Sequence, residues 1–430
     1  PQTASPPPPA PSSTPSGSGP EPASPWDPPG VVDVETFACG IQTGDVLPDA
    51  ALVSVRQFTE PALVCVVARG VEAGWEEVQR LTGLAPVRNV VQLELTGLAA
   101  DTTYAVVFYA ADGVRRTPPA RLRTALAAGS SRTVRFAATS CLGSPGAPWK
   151  SMTRVAGQKL DFVCLLGDTI YADEGLRPAG DWPDHWTDAL STAGLRDLTL
   201  QTSVVATWDD HEVNNDWTWA DDGDLVPPAL EAYLDALPQR RGPAGSRIWR
   251  SLRWGDAVEL FVLDCRGETS GSDYVSPEQL AFLKDGLRQS AARFKVILNS
   301  VPITDLTDAY FGSDDVGWLG YPAQREELFA HIAEHAISGV LWVTGDVHWG
   351  TIATVGKPGT RDAGQWEVFC GPAGSTINVL ALGVDEGAQF DAVYFDWNTV
   401  VFEADPVTGK VVVTVEGDQA TLLTRTLQVG

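Results

Sequence analysis

Short apolar runs broken by polar punctuation fill the first part of the chain, and helical periodicity enters only after residue 132. Between residues 31 and 128 the runs ALVSVRQF, ALVCVVAR, VVQLEL and YAVVFYA are separated by Gly, Pro and Asp. That spacing predicts a small β-sandwich. Ser130 and Ser131, beside Gly129, mark a boundary. Beyond it the β-branched runs TVRFAATS, DFVCLLG, SVVATW, AVELFVLD, FKVILNS and GVLWVTG alternate with helical patterns. In SPEQLAFLKDGLRQS, Ser276 is the expected cap, Pro277 the first helical residue and Gln279 the end of a capping box, with Leu280, Leu283 and Leu287 inward. YPAQREELFAHIAEHA repeats the scheme with Leu328, Phe329, Ile332 and Ala336 inward. Such alternation predicts a layered α/β body that binds ligands at strand ends. Residues 400–427 return to alternating strands, expected at a sheet edge.

The first 30 residues are Pro, Ser, Ala, Thr and Gly with little to bury, and predict a disordered or semi-extended tether. The expected organisation is a tether over 1–30, a β-sandwich domain over 31–128 and a catalytic domain over 129–430. No basic stretch followed by an apolar core opens the chain; a Pro/Ser tether ahead of a globular body reads as an exported protein (periplasmic, cell-surface or extracellular) whose signal has been removed. No apolar run reaches the roughly 18 residues that span a bilayer. The net charge of −25 disfavours nucleic-acid binding, because phosphate backbones would be repelled. An anionic ester would be repelled too, unless bound cations invert the local field. Six cysteines with no CxxC pair exclude zinc-finger and thioredoxin signatures and read mainly as buried thiols.

Four runs end a β-like stretch with side chains able to bind metal: RFAATSC (135–141), LLGDTIYAD (165–173), ATWDDHEVNND (206–216) and LWVTGDVHWG (341–350). Asp168, following a strand and a Gly, is placed to bridge two cations. Tyr171 binds metal as phenolate only when a strong Lewis acid lowers its pKa from about 10, which favours a ferric ion. Asp210 reads as a ligand and His211 as a proton donor to the leaving group or a transition-state stabiliser. Asp209 serves a further ion or orients His211. Asp346 and His348, two residues apart at a strand end, share a face. Cys141 alone reads as a buried thiol.

Together these runs resemble the calcineurin-like metallophosphoesterases, and more closely the alkaline phosphatase D (PhoD-like) family, whose relatives include phosphodiesterases and some phospholipases D. FACGIQTGD (37–45), LDCRGE (263–268) and the pairing of SPEQLAFLKDGLRQS with FKVILNSVPIT extend the resemblance to about residues 37–430. LTGLAADTTYAVVFY followed by RLRTA resembles the end of a fibronectin-III-like module, where a Leu and a Tyr pin a corner. The implied fold is an α/β layered metallophosphoesterase sandwich behind an amino-terminal fibronectin-III-like β-sandwich. The implied cofactors are Fe(III) and Ca(II). By resemblance, Cys141, Asp168, Tyr171 and His348 hold the iron, Asp168 bridges to calcium, and Asp210 and Asp346 complete the calcium site. Asn299 sits where related enzymes place another second-metal ligand, and Arg266 is a candidate phosphate contact. The expected activity is hydrolysis of phosphate mono- or diesters by metal-activated water, on a small molecule or lipid headgroup. Two departures from the family, VSVRQF (53–58) in place of its Trp-Thr-Arg run and the short loops between Asp173 and Thr207, bear on substrate preference and leave the implied metal set intact.

Three other readings remain. A phospholipase D-type diesterase would use Trp208, Trp217, Trp219 and Trp349 as an apolar wall. HIAEH (331–335) matches an inverted zinc-peptidase pattern. A non-catalytic binding protein built on the β-module requires a decayed site, which the intact Asp168, Asp210, Asp346 and His348 argue against. Oligomeric state is not readable.

Overall fold

A computed structural model describes residues 22, 24–174, 180–245, 247–306, 317–384, 387 and 389–429. Among these residues the strands form three sheets. Two stack face to face in the body. One runs in the order Thr421–Gln428, Lys410–Gly417, Asn398–Asp405, Val134–Thr139, Phe162–Leu166, Ser203–Thr207 and then Ile41–Gly44, Ala50–Arg56 and Val90–Thr96. The other runs Arg250–Trp254, Val258–Val262, Phe294–Asn299, Val340–Thr344, Trp366–Phe369, Gly350–Thr354 and Phe390–Tyr394. Strand alternation sorts the side chains between layers. Phe162, Cys164 and Leu166 enter the core between the sheets, while Val163 and Leu165 face outer helices that bring Met152, Trp186 and Leu198. Phe162 lies 4.1 Å from Trp254 of the facing sheet, centroid to centroid. The far sheet is covered by Leu280, Leu283, Leu287, Leu328, Phe329 and Ile332. Helices thus flank two stacked sheets, and Thr421–Gln428 is an edge, as expected.

Two helix details depart from the sequence reading. Ser276 does cap Pro277–Gln289 through the Gln279 N–H, but buried Gln279 does not reach back to it. Its amide instead bonds Asp264 N, Asp264 O and Glu268, helping to hold the loop that follows the strand Val258–Val262. Ala336 is exposed with φ +49, because the second helix ends at Glu334.

Strands before residue 128 form the expected sandwich. Ala51, Val53 and Val55 of one layer meet Leu63, Cys65, Val67, Val106 and Phe108 of the other. Tyr104 pins a corner by accepting the Ala99 N–H at 2.8 Å. One layer is nevertheless continuous with the body: Gly44 pairs in parallel with Val204. A β-carbon at Gly44 would lie 2.0 Å from the Pro238 carbonyl, so no larger residue fits this join. Immediately after it, buried Asp45 grips Arg250 at 2.6 and 2.8 Å.

The tether boundary also shifts. Residues 1–21 and 23 lie outside the described residues, but residues 24–30 pack on the sandwich. Trp26 supplies the apolar surface that a Pro/Ser segment lacks, meeting Trp75 at 6.3 Å. Ser24 and Pro29 carbonyls accept from Trp75 and Tyr109, and Asp27 pairs with Arg116.

Candidate active site

The four runs do converge. Val134–Thr139, Phe162–Leu166 and Ser203–Thr207 lie side by side in one sheet, and Val340–Thr344 in the other opens at the same end. Cys141, Asp168, Asp346 and His348 all have left-handed φ, between +53 and +72. Gly167, at φ +96, lets two loops touch: a β-carbon there would meet Asp209 Cβ at 2.4 Å.

Two groups of ligand atoms result. Cys141, Asp168 and His348 offer atoms mutually within 4.8 Å, as do Asp168, Asp210 and His211. Tyr171 joins the first group, its hydroxyl 3.3 Å from Asp168 Oδ2 and 3.1 Å from His348 Nε2. Asp168 belongs to both groups, and its Oδ1 is buried without a hydrogen-bond partner. Burial, then the charges of Asp210 and Asp209, lift the Asp168 carboxyl well above the carboxylate range. Burial and the nearby Asp168 do the same to the Cys141 thiol and the Tyr171 phenol. Burial brings His348 down to about 4, leaving a neutral imidazole suited to a metal. A packed set of acid, thiol, phenol and neutral imidazole, with an orphaned carboxylate oxygen between, fits bound cations and little else.

Other expected ligands are placed differently. Asn299 is turned away: its Oδ1 accepts from Cys265 and Trp318 at 2.9 and 3.0 Å, and its Nδ2 donates to Val301 O. Both ends of the amide are occupied by the packing around that strand end. Asp209 is the counter-ion of buried Arg266, at 2.6 Å, and also accepts from Ser300 at 3.2 Å. It stands outside both ligand groups, although its Oδ2 lacks a partner. The Arg266 guanidinium also faces Asp210 at 3.5 Å, Asp216 at 3.6 Å and Asp346 at 3.7 Å. Asp346 is raised to about 8, by burial and then Asp209.

Three further residues escaped the sequence reading. Asp173 binds His211 Nδ1 at 2.8 Å. Against the cost of burial, this bond and the Asp210 charge lift His211 to about 9. Ser375 donates to the Tyr171 hydroxyl at 2.5 Å from a loop remote in sequence. Glu212, fully buried, accepts the N–H groups of Asp168, Thr169 and Asp209. Only Asp173 and Glu212 carried a signal, as acids within two of the four runs.

The competing motifs resolve into structure. His331 bonds Lys284 O and His335 bonds His331 O, and neither joins a metal-grade group among the described residues. Trp208, Trp217 and Trp349 are buried in the hydrophobic cores, so of the supposed wall only Trp219 is exposed.

A family model for PhoD-like phosphatases matches residues 136–421. Alkaline phosphatase D of Bacillus subtilis (strain 168) is 25% identical over 377 residues, covering 73% of this chain and 64% of that protein. The chain therefore spans under two thirds of that relative's length. A solved structure of PhoD superposes with a TM-score of 0.75 at 20% identity, covering 91% of this chain and 89% of that one. Purple acid phosphatase PPD1 from yellow lupin (Lupinus luteus) seeds gives 0.64 at 13% identity, covering 90% and 73%. At these identities the two structures speak for the fold. The segment matched by the family model contains every side chain of both ligand groups, and on that match the chain belongs to the PhoD-like phosphatases.

Proposed function

We propose that this protein hydrolyses phosphate esters at a site built for two cations that share Asp168. The observation that carries the reading is the buried, unpartnered Oδ1 of Asp168 at the junction of the two ligand groups. Cys141, Asp168, Tyr171 and His348 would hold Fe(III), the phenol and thiol favouring a strong Lewis acid. Asp168 and Asp210, with Asp346 beside them, would hold Ca(II). When bound, the cations supply Lewis acidity toward a phosphoryl oxygen and a water ionised near neutral pH.

The rest is done by protein groups. With Nδ1 engaged by Asp173, His211 keeps Nε2 as the nitrogen that passes a proton to the departing alkoxide. Asp209, which also accepts from Ser300, fixes the Arg266 guanidinium at the edge of the acid cluster, where it orients phosphoryl oxygens. The Pro/Ser-rich start supports an exported protein; no described helix is long and apolar enough to cross a membrane.

The test is hydrolysis of p-nitrophenyl phosphate and bis(p-nitrophenyl) phosphate before and after chelation. Activity is expected to vanish with the cations and return on adding them back, and to be absent in Asp168→Asn throughout. Equal rates in chelated and untreated protein would remove the reading.

A further inference from the structure

We propose that Glu212 is a positioning residue that sets the spacing between Asp168 and the Asp210–His211 pair, and so the affinity of the site for its divalent cation. This rests on the proposed cation site. Asp168 leaves the strand Phe162–Leu166, whereas Asp210 and His211 leave Ser203–Thr207. Beyond their last paired residues, Leu166 and Thr207, the two loops meet again at their far ends, where Ala172 N donates to His211 O at 3.0 Å and Asp173 holds His211 Nδ1 at 2.8 Å. Nearer the strands, Glu212 joins them. Its Oε2 accepts Asp168 N at 3.0 Å and Asp209 N at 2.9 Å, and its Oε1 accepts Thr169 N at 2.7 Å.

One carboxylate therefore stitches both ligand-bearing loops from below, at a point where Gly167 already brings them into contact. The residue is 0% exposed and touches no reacting group, so it acts through the atoms it holds. Three backbone donors converging on one buried side chain make a stiff join. Asparagine- or glutamine-type amides cannot reproduce it, since one terminal atom becomes a donor facing an N–H.

The test is calorimetric titration of calcium into protein stripped of labile divalent cations, for wild type, Glu212→Gln and Glu367→Gln. Glu367 is a matched control: a buried carboxylate that accepts Ile303 and Thr304 N–H groups outside both ligand groups. Glu212→Gln is expected to weaken calcium by about 10- to 100-fold, the range for groups that orient metal ligands, with Glu367→Gln near wild type. If Glu212→Gln does not fold, Glu212→Asp, one methylene shorter, is read by the same criterion. Wild-type affinity in the Glu212 variant, or equal losses in both variants, would overturn the proposal. Failure of wild type to bind calcium would instead overturn the cation-site reading, and this proposal with it.

Discussion

A side chain bearing a β-carbon resists the left-handed backbone, at about 1–3 kcal/mol each. Cys141, Asp168, Asp346 and His348 all adopt it; Cys141, Asp168 and His348 form one ligand group, and Asp346 faces Arg266 beside it. The site is thus held open against local preference by the sheets beneath it. Tyr171 tests its inner half. Ferric phenolate absorbs visible light, so Tyr171→Phe in the iron-loaded protein should bleach or shift that band, while Ser375→Ala should move it without removing it. A spectrum indifferent to Tyr171→Phe would take the phenol out of the site. These residues were legible because each follows an apolar run by one to five positions. Asn299 follows one as well, and misled: position at a strand end does not say whether the amide meets the cleft or, as here, Cys265 and Trp318. Ser375 was invisible because its role depends on a contact 204 residues away.

At the level of strands and helices, periodicity located the layers and the inward leucines correctly. It could not show that two modules share one sheet, since a single parallel pairing at Gly44 leaves no compositional mark. The join depends on Asp45 and Arg250, which are 0% and 5% exposed as side chains. Asp45 also accepts Arg240 N at 2.5 Å. Truncating one partner strands the other's charge in a buried place, a loss of roughly 3–5 kcal/mol. Arg250→Ala is therefore expected to lower the denaturation midpoint sharply, and Arg250→Met, which fills the space but leaves Asp45 charged, to rescue little. A midpoint within experimental error of wild type would show that the pair does not secure the join.

Across the whole molecule, the concentration of acid in the cleft has a thermodynamic signature. Without cations, Asp209 is lifted to about 6, Glu212 to about 7 and Asp346 to about 8, burial leading in each case, and burial lifts Asp168 well above the carboxylate range too. Carboxyls raised on folding bind more protons in the native state than in the unfolded chain. Their contribution is complete below about pH 4 and is lost as pH climbs through 6 to 8. His348, held neutral down to about 4, works in the opposite direction but is outnumbered. Chelated protein should melt at a lower temperature at pH 8 than at pH 5, and added cations should restore most of the difference at pH 8. A chelated melting temperature that does not fall over that range would contradict the carboxyl assignments. The shared sheet carries a last consequence. With Ile41–Gly44 laid against Ser203–Thr207 and Asp101 and Asp161 both gripping Arg132, the two modules are tied by a shared sheet and a shared ion-pair cluster. Variants that alter a substrate preference are then expected to cluster in the loops around the mouth, leaving the join untouched.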